Sequence, residues 1–219
     1  METSTIDRQR LARWLGVLFV GLLVFGMLTA LVLDSVLVPG DAAATAANVL
    51  GSRTLVGVSL VGWVVLAGLD IAVAVGFHAL LKTAGPVLSP ITAGFRLVYA
   101  AVLVALVPQL FTAFQLVTGD AADQARALAE MESFSLGFQV ALTVFGIHMT
   151  LLGILLYRSA YVPRILAGLV IAAGAGYVAD NRAGLFTDLA PALSAVLVAP
   201  SLLGELGLLG WLLVKSTRP

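Results

Sequence analysis

Apolar residues in this chain come in long unbroken runs and do not alternate with polar ones. Six runs, at about 11–33, 54–81, 91–117, 134–157, 163–179 and 191–214, reach or approach the roughly 20 residues that cross a hydrocarbon layer. Lipid offers the backbone no water to bond, so each run predicts a helix. The runs are too apolar and too long for barrel strands. The first, at about 23 residues, exceeds a signal-peptide core and predicts an uncleaved helix.

Polar intervals predict how the helices connect. Pro39-Gly40-Asp41 precedes an Ala-rich stretch ending at Gly51. Asp41 suits an N-cap, because a carboxylate accepts the free N–H groups of a first turn, and Gly51 suits a stop. Asp120 stands the same way before Ala121–Met131. Two short outer helices are expected, as interfacial lids or as covers over an outward-opening cavity. The other connections are short. Pro86 and Pro90 end one helix and begin the next, and Arg158–Pro163 is tighter still, so the joined helices should be antiparallel neighbours. The expectation is one all-α domain over 1–219, a bundle of six transmembrane helices with two short extracytoplasmic ones.

Composition agrees. The chain is 60% hydrophobic and 11% charged, against about 25% charged in soluble domains. With no Cys, disulfides and thiolate metal sites are excluded, and two His exclude a three-imidazole site. The formal net charge of zero hides an asymmetry. One set of polar segments holds Arg8, Arg10, Arg13, Lys82, Arg96, Arg158, Arg164, Lys215 and Arg218, and the other only Arg53, Arg126 and Arg182. Asp34, Asp41, Asp120, Asp123, Glu130, Glu132, Asp180 and Asp188 fall with the second set. The positive-inside rule then places both termini in the cytoplasm. The expected partner is the lipid bilayer. The basic residues make no nucleic-acid surface.

Asp70, His148 and Glu205 are the candidates for chemistry. Each lies near the middle of an apolar run, where ionisable groups are costly, face the bundle interior and take partners. Counted from the inner boundaries, all three lie roughly 13–17 Å deep. Two carboxylates and an imidazole can relay protons, bind a small solute, hold a divalent metal or form a structural network. No cofactor is otherwise implied. Ser194, Ser201 and Glu205 fall on one arc of the last helix, beside Pro200. Pro108 breaks the third helix beside Gln109, and interrupted helices near the midplane often mark transporter sites. Arg96 lies about one and a half turns inside that helix, with Tyr99 three residues on. Snorkelling to the interface is the expected role for Arg96; the alternative is a counter-ion for Asp70 or Glu205. Tyr177, Asp180, Asn181 and Arg182 crowd the outer end of the fifth helix, where Asp180 and Arg182 read as a surface cluster. Gly168, Ala172 and Gly176 make a small-residue stripe for close packing on a neighbouring helix or a second copy.

Several stretches look familiar: Val38-Pro39-Gly40-Asp41 through Asn48, Gly94-Phe95-Arg96-Leu97-Val98-Tyr99-Ala100, Gly146-Ile147-His148-Met149, Tyr157-Arg158-Ser159, Pro163-Arg164-Ile165-Leu166, Gly176-Tyr177-Val178-Ala179-Asp180 and Gly204-Glu205-Leu206. In this order they resemble the bacterial membrane family catalogued as domain of unknown function 4386. The resemblance implies a small multi-pass membrane protein and no particular activity. Two function classes remain: a protein that binds or moves a small solute or proton through Asp70, His148 and Glu205, and an intramembrane enzyme using them as metal ligands or acid and base. A structural or assembly protein is the third.

Overall fold

The structure is a computed structural model that describes residues 5–159, 161–186 and 203–214, without side chains for 5–7 and 180–186. Among the described residues every regular element is a helix: α1 (Thr5–Val36), α2 (Ala42–Gly51), α3 (Arg53–Leu81), α4 (Leu88–Leu116), α5 (Ala121–Ser159), α6 (Arg164–Phe186) and α7 (Leu203–Val214). Four of them, α1, α3, α4 and α5, are long and apolar enough to cross a membrane. Apolar helix also runs over Arg164–Ala179 in α6 and over α7, each shorter than that length.

The polar intervals act locally as their chemistry dictates. Asp41 caps α2 by accepting the Ala44 N–H at 2.9 Å, and Gly40 turns the chain into it at φ 76, a conformation that favours glycine. Asp120 Oδ1 accepts from the N–H groups of Ala122 and Asp123 at 2.9 and 3.0 Å. The helix it opens is not the short one expected. Ala121–Met131 continues unbroken to Ser159. No Gly or Pro occurs between Ala121 and Leu136, so nothing stops the helix after Met131. At 39 residues α5 is about 58 Å long, nearly twice a hydrocarbon core of about 30 Å. Of the two expected short helices, one is separate and the other is the first part of a long one.

The chain divides into two compact units, and α1, α3, α4 and α5 each contribute to both. One unit comprises 21–68 and 100–139. There Trp63 meets Phe134 and Phe138 edge-on at 5.0 and 5.1 Å between ring centroids. In α2, Thr45, Ala46 and Val49 are buried, and Asn48 donates to the Val36 carbonyl at 3.3 Å. Gly40 N–H donates to the Glu132 carboxylate at 3.1 Å. Val49 lines an apolar cavity of about 20 Å³, room for one water at most. So α2 packs its Thr45, Ala46 and Val49 face against the core of this unit.

The other unit comprises 1–20, 69–99 and 140–219. Phe19 packs edge-on to Phe77 at 6.3 Å, and Gly76 leaves the space that Leu15 fills. Here α5 and α6 approach backbone to backbone. A Cβ on Gly146 would stand 2.7 Å from the Gly174 carbonyl, and one on Gly153 would stand 3.0 Å from the Ala167 carbonyl. The contact face of α6 is therefore Ala167, Ile171 and Gly174. Of the expected stripe, Gly168 and Ala172 are exposed and only Gly176 is buried. Gly204 brings α7 equally close, with the Leu169 carbonyl 3.1 Å from where its Cβ would be.

Candidate functional site

The site lies in the second unit and grows from one face of α4. Thr92, Arg96 and Tyr99 follow at spacings of four and three, so they share that face. Arg96 is 1% exposed and Asp70, on α3, is 2% exposed. Arg96 Nε and Nη2 both donate to Asp70 Oδ1, at 2.9 and 2.6 Å. The snorkelling expectation for Arg96 is thus corrected. A buried carboxylate holds the guanidinium inside, because separating the pair would leave two uncompensated charges there.

Arg96 also faces α5. Its Nη1 stands 3.1 Å from Nε2 of His148, which is fully buried, and Nδ1 of His148 stands 2.9 Å from the Thr92 carbonyl oxygen. A guanidinium has no acceptor, and a carbonyl has no donor. Nε2 therefore accepts and Nδ1–H donates, so His148 is a neutral imidazole in one defined tautomer. The hydroxyl of Thr92 turns back to the Leu88 carbonyl at 2.8 Å and takes no part.

Phe145 lies one turn before His148 and organises the rest. The Arg96 guanidinium carbon sits 5.3 Å from its ring centroid, within cation–π range. Tyr99 and Tyr177 approach the same ring at 5.0 and 5.4 Å. Tyr177 Oη donates to Glu205 Oε1 at 2.9 Å, linking α6 to α7. Gly146 permits this, since Tyr177 Cβ would be 2.9 Å from any Cβ there.

The three expected residues therefore do not meet as equals. Asp70 and His148 share Arg96, and Glu205 pairs with Tyr177. Among the described residues no group of three or more His, Cys, Asp or Glu is placed to hold a metal ion. The sequence expectation of a three-ligand site at Asp70, His148 and Glu205 meets a different arrangement, with a guanidinium between carboxylate and imidazole. Tyr99 joins the cluster through the Phe145 ring. Gln109 belongs to the other unit, where its Oε1 is buried without a partner among the described residues. Ser201, with Ser194 and Pro200, lies outside the described residues.

Sequence reasoning missed Phe145, the Thr92 carbonyl and the role of Tyr177. The spacing Thr92, Arg96, Tyr99 was the available signal, because it puts a carbonyl, a cation and a phenol on one stripe.

Towards the end of α3, a narrow space lined by His148, Thr92, Ser89 and His78 has no room for water. Nδ1 of His78 stands 3.0 Å from Ser89 Oγ.

Comparison with known proteins adds kinship without activity. The family described as "Domain of unknown function (DUF4386)" matches residues 14–216. A protein of Archaeoglobus fulgidus named only "Uncharacterized protein" is 32% identical over 124 residues, covering 56% of this chain. The matched segment spans 64% of that relative's length. No solved structure matches.

Proposed function

Since the chain belongs to the DUF4386 family, whose description carries no activity, we propose from the site that it binds or moves a small solute in step with a proton. Six helices spanning a bacterial cytoplasmic membrane, α6 and α7 among them, provide the setting, with both termini cytoplasmic. With Arg96 buried, eight basic residues of the first set against three of the second still support that orientation.

One observation carries the reading: the 3.1 Å contact between Arg96 Nη1 and His148 Nε2. It exists only while Nε2 has its lone pair. A proton on Nε2 would set an imidazolium against a guanidinium, so proton binding and the Arg96 contact exclude each other. A proton on Asp70 would likewise cancel the charge that holds Arg96. The first event releases Arg96 from His148 and the second from Asp70; together they free a guanidinium, which is what a solute site needs. Structural benefit alone is a thin reason for such a network, because interhelical polar contacts average about 0.6 kcal/mol. Proton delivery requires the helices to part, as the space beside His148 is closed to water.

That closed packing supports a second reading, in which the network only fixes the register of α3, α4 and α5. Purified protein in liposomes containing a pH-sensitive dye separates the two. Under an imposed membrane potential the first reading predicts proton flux that Asp70→Asn and His148→Gln abolish. Flux no greater than in empty liposomes, or unchanged in both variants, overturns it in favour of the second.

A further inference from the structure

At the end of the same unit where α3 and α5 finish lies a cleft of about 210 Å³, lined by Arg8, Leu80, Leu81, Thr83, Ala84, Arg158, Ser159 and Tyr161. It gathers the start of α1, the end of α3 and the turn after α5. The geometry points to a binding site for a phosphate-bearing anion here, either an anionic phospholipid headgroup or a free phosphate compound.

The lining has the chemistry such a group needs. Two guanidiniums contribute, and no lining residue is acidic. Arginine recognises phosphate through paired N–H donors and keeps its charge at any working pH. Arg8 is already positioned, since its Nη2 donates to Thr83 Oγ1 at 2.8 Å. As acceptor in that bond, Thr83 still has its own hydroxyl hydrogen to give. Ser159 holds the wall: its Oγ donates to the Leu156 carbonyl at 2.8 Å and accepts the Tyr161 N–H at 3.1 Å. Trp211 Nε1 fixes the same turn through the Tyr161 carbonyl at 3.1 Å. Burial pushes the Tyr161 phenol up, outweighing the opposing pull of Arg8, so at neutral pH the phenol is an uncharged O–H donor.

Charge balance favours an anion. Two helix C-termini, those of α3 and α5, point here and carry about half a negative charge each. Two full positive charges on Arg8 and Arg158 outweigh them. The cleft also lies at the end of the unit where the basic residues collect, the side on which grooves between helices receive anionic headgroups. The volume admits a phosphoglycerol headgroup and a free phosphomonoester alike.

The test uses the full chain in dodecyl maltoside, with thermal unfolding followed during titration by dioleoylphosphatidylglycerol, by dioleoylphosphatidylcholine and by inorganic phosphate. Wild-type protein is expected to be stabilised by phosphatidylglycerol or by phosphate and not by phosphatidylcholine. The double variant Arg8→Gln/Arg158→Gln should need roughly tenfold more ligand for each charge-assisted hydrogen bond it removes. Lys82→Gln, which removes a nearby exposed charge outside the cleft, is the control and should respond as wild type. A response to phosphatidylglycerol alone assigns a lipid headgroup, and one to phosphate assigns a free anion. No response to either overturns the site, as does a response that survives the double variant or falls equally with Lys82→Gln. Should the double variant not fold, Arg8→Lys and Arg158→Lys, which keep charge and remove the paired donors, are read instead. Both must weaken the response.

Discussion

Arg96 and Asp70 form an ion pair in which two donors of one guanidinium converge on a single carboxylate oxygen, at 2.6 and 2.9 Å, with both side chains almost fully buried. Such a pair is a commitment by two helices. Its Coulomb attraction is large in a low dielectric, but so is the cost of taking both charges from water, and its net worth is far smaller than either.

That imbalance makes the pair sensitive to loss of one member. Arg96→Gln should destabilise the protein by about 3–5 kcal/mol, since it strands a buried carboxylate. Asp70→Asn combined with Arg96→Gln should recover most of the loss. Denaturant titration of the four proteins in detergent checks this as a double-mutant cycle, and additive losses would count against a direct pair.

His148 should tolerate replacement only by a side chain that can accept from Arg96 and donate to Thr92. His148→Gln offers an oxygen and an amide N–H, so it should fold near wild-type stability. His148→Leu leaves a guanidinium N–H unpaired and removes the second hydrogen bond to a helix carbonyl, and should cost about 1–3 kcal/mol. The same unfolding assay gives the comparison.

How much of this could be read in advance depends on which coordinate a residue needs. Depth was legible. Helix rise places Asp70 roughly 16 Å from the end of α3 and Arg96 roughly 12 Å from the start of α4, a gap that a long arginine side chain spans. What pattern could not supply was rotation about each helix axis. A helix apolar on all sides has no polar face to orient it, so the sequence left open whether Arg96 turned inward or snorkelled. Glu205 shows the same gap, because nothing in the pattern turns Tyr177, near the end of α6, towards it. The caps were legible because they are local: Asp41 and Asp120 act within three residues of themselves. The continuation of α5 past Met131 was hidden by reading a polar stretch as the end of a span.

Glycine packing gives a further contrast. A Cβ on Gly174 would collide with the Thr150 backbone nitrogen and the Gly146 carbonyl, neither of which can yield. Gly174→Ala should destabilise by about 1–3 kcal/mol. Gly168 is exposed with nothing within 4 Å, so Gly168→Ala should be neutral or raise stability by up to about 1 kcal/mol through helix propensity. Equal effects at the two positions would contradict the assigned contact face of α6.

The cap at the start of α5 is a smaller test. Asp120→Ala removes an acceptor for two N–H groups and should cost about 1 kcal/mol. Amide hydrogen exchange should rise at Ala122 and Asp123 and remain unchanged around His148. Protection that persists at the first turn would show that the cap is not what holds it.

The state of His148 itself tests the account most directly. Nitrogen-15 NMR of histidine-labelled protein in lipid, in a His78→Asn background that leaves His148 as the one labelled ring, reports which ring nitrogen carries hydrogen. At neutral pH we expect one protonated nitrogen, Nδ1, and one unprotonated nitrogen, Nε2, held by Arg96. Two protonated nitrogens, or hydrogen on Nε2 instead of Nδ1, would contradict it.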